Sequence, residues 1–325
     1  MPRPKRIETN EGIFHVINRG NYRSYVFEDD GAKGAFETCL LEAAERSGWR
    51  VLAYCIMSNH FHLCLATPRG NLSEGMRWLQ STYAARYNRF RKEKGHLFQG
   101  RFKSLLVEPG EHLCDLVDYI HLNPVRARLV PAAQAGSYRW SSLYWLPKVK
   151  TRPSVLDVSW LDYRETLSDS SSSWRRYATS LQMLVSEDPD EIEKLEKRMC
   201  RGWCIGRASF KHAYAAEFLA KKDTLRLEGE ALADLNESHW ALALEKCLEA
   251  LGETEASAKV ALKSADWKLS IAKAMKARTS VTNAWLSKRL EMGSPRALSS
   301  NVSAYSKRCV RCGYWKALSR LQFDV

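Results

Sequence analysis

The chain has 325 residues, 45% of them hydrophobic, with 50 Lys or Arg against 37 Asp or Glu and a net charge of +13 at pH 7. This length allows two domains that each bury a core, and the positive charge favours a polyanionic partner, with nucleic acid ahead of an acidic membrane surface. No stretch reaches the 18 or more apolar residues of a membrane span, and no apolar signal region follows the basic start, so we expect a cytoplasmic protein with no membrane contact.

The first half of the chain alternates strand-like and helix-like patterns. The pattern predicts strands at 12–20, 49–57, 60–67 and 96–108, and helices at 31–46, 72–95 and 110–130. Pro124 should end or kink the last of these helices. The order β-α-β-β-α-β, followed by a helix, predicts an α+β fold in which a ferredoxin-like antiparallel sheet carries helices on one face.

The third predicted strand contains two histidines in the run "MSNHFHLCLA". Side chains alternate across a strand, so His60 and His62 share one face while Phe61 points to the other, towards the core. Two imidazoles on one face of a sheet can bind a divalent ion. A half-exposed polar face without a metal is the alternative interpretation.

A basic segment, 85–103, interleaves positive and aromatic side chains. Positive charges can bind phosphates, and Tyr87, Phe90 and Phe98 can stack on unpaired bases. A solvated basic face with core aromatics is the alternative. The side chains in this segment that we predict to contact DNA are Arg86, Arg89, Arg91, Lys92, Lys94, Arg101 and Lys103.

The helix at 110–130 carries the second group of candidate site residues. Tyr119 and Asn123 are four residues apart, so they lie on one helical face, and Asn123 directly precedes Pro124. A phenol one turn from an amide oxygen suits a reaction in which the phenol attacks a phosphodiester and the amide helps to hold a metal. A buried tyrosine and a helix-terminal asparagine are the alternative. Arg126 and Arg128 follow the tyrosine and could contact the same strand of DNA.

These motifs together resemble a known family. "NHFHL" and "DYIHLNPVRARLV", with "HVINRG" and "KGHLFQGRFKS", look like the single-tyrosine HUH transposases, and most closely the REP-associated tyrosine transposases, which cut repetitive extragenic palindromes. The resemblance covers about residues 12–146. It implies the HUH endonuclease fold, with Tyr119 as the nucleophile and His60, His62 and Asn123 as ligands of Mg²⁺ or Mn²⁺. Tyr83 and Tyr87 lie outside a Y-x-x-x-N-P context, so we assign them to the helix core or to DNA contact.

The resemblance also implies an activity. It indicates a metal-dependent endonuclease and strand transferase that cuts and rejoins single-stranded, hairpin or palindromic repeat DNA through a 5′-phosphotyrosine intermediate, at the bacterial nucleoid. Related transposases are dimers or monomers, so the choice between monomer and homodimer stays open. One alternative is a non-catalytic, sequence-specific DNA-binding regulator derived from a transposase, and another is a nuclease that uses water instead of Tyr119.

The second half of the chain reads as helical. We expect a catalytic domain at 1–147, a helical linker region at 148–235 and an all-α domain at 236–325. Near the end, Gly293 suits a turn, Ser294 an N-cap and Pro295 a first helical position. This pattern resembles a helix-turn-helix with Arg296 and Asn301 on the DNA-binding helix, and a plain helical bundle is the alternative.

Nine cysteines, an odd number, fit reduced cytosolic thiols better than disulfides. Two close pairs, Cys200 with Cys204 and Cys309 with Cys312, leave a structural zinc site open. The first spacing is not distinctive and both pairs have basic neighbours, so we favour buried or idle thiols.

Overall fold

The structure, a computed structural model, describes residues 7–220 and 229–321. It divides into two compact units, Met1–Arg207 and Ala208–Val325. The first unit contains the predicted sheet, and it also includes residues 148–207, which the sequence pattern assigned to a linker region. Over the described ranges, no helix combines the length and the apolar character needed to cross a bilayer.

The elements of the first unit follow the predicted order. The strands are β1 (Gly12–Arg19), β2 (Arg50–Ile56), β3 (His60–Thr67), β4 (Lys103–Val107) and β5 (Cys204–Ile205). The α-helices are α1 (Asp30–Ser47), α2 (Leu72–Arg91), α3 (Glu111–His121), α4 (Asn123–Arg126), α5 (Ser171–Met183) and α6 (Pro189–Cys200). Short 3-10 helices occupy Asn21–Arg23, Ala132–Ser137, Ser142–Tyr144 and Ser159–Tyr163.

The strands form one five-stranded sheet in the order β2-β3-β1-β4-β5. β1 pairs antiparallel with β3 and β4, and β2 pairs antiparallel with β3. β5 extends the sheet by pairing in parallel with β4. The first four strands and the helices between them therefore form the predicted β-α-β-β-α-β arrangement, and the α+β prediction is confirmed.

Helices cover both faces of the sheet, so the expectation that they lie on one face was wrong. On one face, the Phe61 ring is fully buried and stacks on Phe36 of α1, with 4.7 Å between ring centroids. On the other face, Leu116 and Val117 of α3 share a core with Cys64. The physical reason is that β2 and β3 are buried on both faces along almost their whole length, and a strand of this kind needs cover on each side.

Pro124 divides the helix that carries the tyrosine, as predicted. α3 ends at His121 and α4 begins at Asn123. Because proline has no N–H, the carbonyl of Ile120 loses its usual partner four residues on. The side-chain amide of Asn123 donates instead to the carbonyls of Tyr119 (2.9 Å) and Ile120 (3.5 Å).

The second unit is helical over its described residues. Its α-helices are α7 (Ala208–Ala220), α8 (Gly229–Leu251), α9 (Glu255–Val260), α10 (Asp266–Arg278), α11 (Asn283–Arg289), α12 (Pro295–Ser306) and α13 (Gly313–Ser319), with a 3-10 helix at Cys309–Arg311. α12 begins as predicted, because the Ser294 hydroxyl accepts a hydrogen bond from the Ala297 amide (3.2 Å) and Pro295 occupies the first turn.

Candidate active site

The two predicted histidines lie at the start of β3, on the face covered by α3. The rings of His60 and His62 are perpendicular, with 5.1 Å between centroids. His62 is 4% exposed, and burial, followed by the charge of neighbouring His60, holds the pKa of His62 well below its usual value. Burial likewise lowers the pKa of His60 to about 4. Both imidazoles are therefore neutral at physiological pH, as metal binding requires.

Tyr119 lies against His62. The two rings meet edge to face with centroids 5.6 Å apart, and the Tyr119 hydroxyl lies 3.2 Å from the sulfur of Cys200, at the end of α6. The tyrosine is 4% exposed, and burial raises the pKa of its phenol above the ordinary value. Tyr119 therefore lies next to the histidine pair, as the motif predicts. It is also covered by the end of α6, which the sequence analysis did not connect with the site.

Asn123 and Arg126 enclose the carbonyl group of Tyr119. Asn123 is 8% exposed and donates its amide N–H to that carbonyl, which leaves its side-chain oxygen as the atom able to bind a metal. Arg126 donates to the same carbonyl at 2.8 Å, and its guanidinium lies 4.6 Å from the centre of the Tyr119 ring. This charge opposes the effect of burial on the phenol pKa, so Arg126 belongs to the surroundings of the tyrosine.

Two further residues, His15 and Cys200, lie beside the predicted site. The sequence analysis did not select His15, and it considered Cys200 only as part of a possible zinc site with Cys204. Side-chain nitrogens of His15 and His62 and the sulfur of Cys200 all lie within 4.8 Å of one another. His15 is on β1, where alternation and the register of β1 with β3 place it on the same face as His62. Its position within "GIFHVINRG" was the only available signal, and the strand register needed to interpret it is not visible in the sequence.

The histidine pair fits the divalent metal that the resemblance implies. The Nδ1 of His60 bonds to the side-chain oxygen of Asn59 (2.7 Å), and the Nδ1 of His62 bonds to Nε2 of His15 (3.0 Å). Since Nδ1 is engaged in both rings, each ring keeps Nε2 for a metal. Two imidazole nitrogens and an amide oxygen make a donor set suited to Mn²⁺, with Mg²⁺ less favoured because it prefers oxygen ligands.

The predicted DNA-contacting side chains of the first unit are mostly at the surface. Arg86 donates to Glu42 (2.8 Å) and Arg91 pairs with Asp29, so both already have acidic partners. Lys103 is half-buried. The predicted side chains Arg89, Lys92, Lys94, Arg101 and Arg128 are also exposed.

Of the aromatic residues in the basic segment, Phe98 belongs to the core. It is 9% exposed and packs near Phe27 and Tyr83, while Phe90 is 82% exposed and available to a ligand. The structure also exposes Tyr22 (93%) and Tyr25 (62%), which the sequence analysis did not select.

These two tyrosines lie in the loop that follows β1. The loop is adjacent to β3, because the Gly20 amide donates to the Asn59 carbonyl at 2.8 Å and Asn59 directly precedes His60. Tyr22 and Arg23 both have positive φ angles, 51° and 61°, which non-glycine residues rarely adopt.

In the second unit, α12 buries Leu298, Val302 and Tyr305 along one face. Arg296 is exposed and Asn301 is half-buried, so the predicted DNA-contacting residues lie outside the buried stripe. α11 and α12 pack together across a turn that contains Gly293, whose φ of +82° favours glycine.

Comparisons with known proteins give one family match. Residues 8–123 match the family described as "Transposase IS200 like". No curated protein sequence matches the chain. One similar solved structure is of a REP-associated tyrosine transposase bound to a REP hairpin, with 17% identity and a TM-score of 0.38, covering 49% of this chain and 94% of the other. Another is of a candidate transposase from Deinococcus radiodurans R1, with 21% identity and a TM-score of 0.27, covering 40% of this chain and 91% of the other.

Proposed function

We propose, from the premise that residues 8–123 belong to the IS200-like transposase family, that this protein is a metal-dependent single-stranded DNA endonuclease and strand transferase. The observation that carries the proposal is the position of the Tyr119 ring, 5.6 Å from the ring of His62 and on the same face as His60. A phenol beside a pair of neutral imidazoles is an arrangement suited to phosphoryl transfer to tyrosine.

The proposed reaction is a transesterification. The Tyr119 oxygen attacks the scissile phosphorus, a bond forms from phosphorus to the tyrosine oxygen, and the bond from phosphorus to the 3′ oxygen breaks. The products are a 5′-phosphotyrosine link and a released 3′ oxygen, which takes up a proton to become a free 3′-hydroxyl group. A 3′-hydroxyl can later attack the link in reverse, so DNA is rejoined without an external energy source.

Deprotonating Tyr119 is the difficult step. A free phenol has a pKa of about 10, so about one in a thousand is ionised at neutral pH, and burial makes ionisation harder still. The guanidinium of Arg126, 4.6 Å from the ring, stabilises the phenolate. His60, His62 and Asn123 hold the divalent metal, which when bound supplies a positive charge that polarises the scissile phosphate.

The proposed substrate is single-stranded or hairpin DNA with palindromic repeats, as the motifs of the REP-associated branch imply. In the first unit, we assign phosphate contacts to those of the predicted basic residues that are exposed. In the second unit, we assign duplex or hairpin recognition to α12, in a helix-turn-helix formed by α11 and α12.

The test is a covalent-adduct assay. The protein is incubated with labelled single-stranded hairpin DNA and Mn²⁺ or Mg²⁺, and the products are separated under denaturing conditions. We expect a metal-dependent adduct that is absent from Tyr119→Phe, while Tyr83→Phe, which alters a buried core tyrosine bonded to the Val26 carbonyl (2.7 Å), retains it. An adduct that persists in Tyr119→Phe would exclude this nucleophile.

One observation favours a second candidate, the non-catalytic DNA-binding regulator. The Tyr119 hydroxyl is engaged by Cys200 and the side chain is 4% exposed, so a phosphate has no open path to it in this conformation. The regulator predicts hairpin binding without an adduct at any metal concentration. A nuclease that uses water instead predicts free 5′-phosphate products and retained cleavage in Tyr119→Phe.

A further inference from the structure

His15 is a buried histidine that takes no part in the proposed reaction as described above. It is 0% exposed, and both of its ring nitrogens are engaged. Nδ1 lies 2.8 Å from the carbonyl oxygen of Met199, and Nε2 lies 3.0 Å from Nδ1 of His62. His15 thus connects the end of α6 to a proposed metal ligand through two short hydrogen bonds.

The direction of these hydrogen bonds follows from the carbonyl. A carbonyl oxygen can only accept, so Nδ1 of His15 must carry the hydrogen. A neutral imidazole has one N–H, and complete burial keeps this ring neutral, so Nε2 of His15 is an acceptor. Nδ1 of His62 must therefore donate to it, which leaves the lone pair of His62 on Nε2.

His60 is held in the same Nδ1–H tautomer by a different hydrogen-bond partner, Asn59. Its Nδ1 lies 2.7 Å from the side-chain oxygen of Asn59, and the Asn59 amide nitrogen is directed to the Arg23 carbonyl (3.5 Å), which orients the side chain. The oxygen accepts the Nδ1 hydrogen, so the lone pair of His60 also lies on Nε2. Both rings thus keep the lone pair on the same nitrogen, Nε2.

We propose that His15 is a positioning residue that holds His62 in the Nδ1–H tautomer, with Nε2 available to the divalent metal. This inference rests on the proposed function, because it assumes that His62 binds a metal. Partners that orient a metal-binding histidine in this way change metal affinity by about 10- to 100-fold when they are removed.

The first experiment examines the metal-free protein. In long-range proton–nitrogen NMR spectra of protein labelled with ¹⁵N-histidine, we expect His62 to show a protonated Nδ1 and an unprotonated Nε2, with the signal assigned by its loss in His62→Ala. His15→Phe keeps the ring shape but removes the acceptor, so the His62 proton should redistribute towards Nε2. An Nε2–H tautomer of His62 in the unmodified protein would overturn the proposal.

The second experiment measures Mn²⁺ affinity by calorimetry. His15→Phe should bind Mn²⁺ about 10- to 100-fold more weakly, whereas His15→Gln, whose carbonyl oxygen can accept from His62, should recover most of the loss. Tyr83→Phe, which removes a buried hydrogen bond on the opposite side of the sheet, should bind normally. Unchanged affinity in a folded His15→Phe protein would overturn the proposal, as would a loss that His15→Gln fails to recover.

The two experiments distinguish a failure of the positioning role of His15 from a failure of the proposed metal-dependent reaction. If the unmodified protein fails to bind Mn²⁺, the proposed metal-dependent reaction fails, while the NMR spectra still test the tautomer. The His15–His62–Cys200 cluster offers another metal geometry, in which His15 is itself a ligand. In that case His15→Gln and Cys200→Ala would both abolish binding and His60→Ala would not, which would overturn the proposed role of His15.

Discussion

At the residue scale, the site depends on histidines that stay neutral. A histidine must lose its proton before it binds a metal, so protons compete with the metal at any pH below the histidine pKa. Burial, followed by the charge of Arg19, lowers the pKa of His60 to about 4, and the pKa of His62 lies well below its ordinary value. An ordinary histidine with a pKa of about 6.5 would already be mostly protonated at pH 5.5.

The predicted consequence is that the affinity for Mn²⁺ hardly changes between neutral and mildly acidic pH. Between pH 7.5 and pH 5.5 we expect the Mn²⁺ affinity to change by less than about 2-fold, because the pKa of His60 is about 4 and burial holds the pKa of His62 well below its ordinary value. Two ordinary histidines would lose about 100-fold over the same range. The measurement is a Mn²⁺ titration followed by electron paramagnetic resonance at three pH values, with circular dichroism to verify folding and His60→Ala as the control for lost binding. A loss of 10-fold or more at pH 5.5 would contradict the prediction.

Sequence reasoning reached His60, His62 and Tyr119 because each depends on a local pattern. Strand alternation puts the two histidines on one face, and the Y-x-x-x-N-P motif puts the tyrosine on a helix. Sequence reasoning did not select His15 and did not place Cys200 next to Tyr119, because these contacts depend on a strand register and on the docking of α6. The assignments of Tyr119 as the nucleophile and of His60, His62 and Asn123 as metal ligands remain predictions.

At the element scale, the loop after β1, which carries Tyr22, Arg23 and Tyr25, is the feature that the sequence patterns did not predict. Its two exposed tyrosines and its two residues of positive φ lie next to the strand that carries His60. A backbone conformation that costs energy and large aromatic side chains left in water both favour a ligand-binding role. In the proposed function, that ligand is an unpaired nucleotide beside the cleavage site.

This loop supports a prediction about single-strand binding. Tyr22→Ala should weaken binding to single-stranded DNA by about 5- to 150-fold, since stacking of one base on an aromatic ring contributes about 1–3 kcal/mol. Tyr163→Ala, which removes a half-exposed tyrosine from the 3-10 helix Ser159–Tyr163, is the matched control. Fluorescence anisotropy with a labelled oligonucleotide gives both affinities, and equal affinities for the two variants would exclude the stacking role.

The faces of the sheet show why helix placement was predicted only in part. Strand and helix order followed from periodicity, and the strand pairing then matched the expected arrangement. Whether a helix covers the Phe61 face or the His62 face is not encoded in its own amphipathic pattern. Near-complete burial of β2 and β3 requires cover on both faces, and α3 supplies it on the face of the two histidines.

At the scale of the whole molecule, the chain has two compact units, Met1–Arg207 and Ala208–Val325. Residues 148–207 belong to the first unit, where α6 contributes the Met199 carbonyl bonded to His15 and the Cys200 sulfur next to Tyr119. A polar stretch that reads as a linker in sequence can still be part of the folded unit, because its burial depends on distant partners. The predicted domain boundaries at residues 147 and 235 remain predictions. The first compact unit ends at Arg207 and so extends past residue 147.

The second unit supports the last prediction, which concerns duplex DNA. α12 buries Leu298 and Val302 and exposes Arg296 near its start. Arg296→Ala should therefore weaken the binding of the full-length protein to hairpin or duplex DNA by about 5- to 150-fold. This is the range expected for the loss of one base-contacting arginine. Lys259→Ala, which removes one exposed positive charge from α9, should have a smaller effect that disappears at high salt. Because the proposed cleavage site lies in the first unit, neither variant should change adduct formation on a saturating single-stranded substrate. If the two variants lost the same affinity at every salt concentration, α12 would be a positively charged surface rather than a recognition helix.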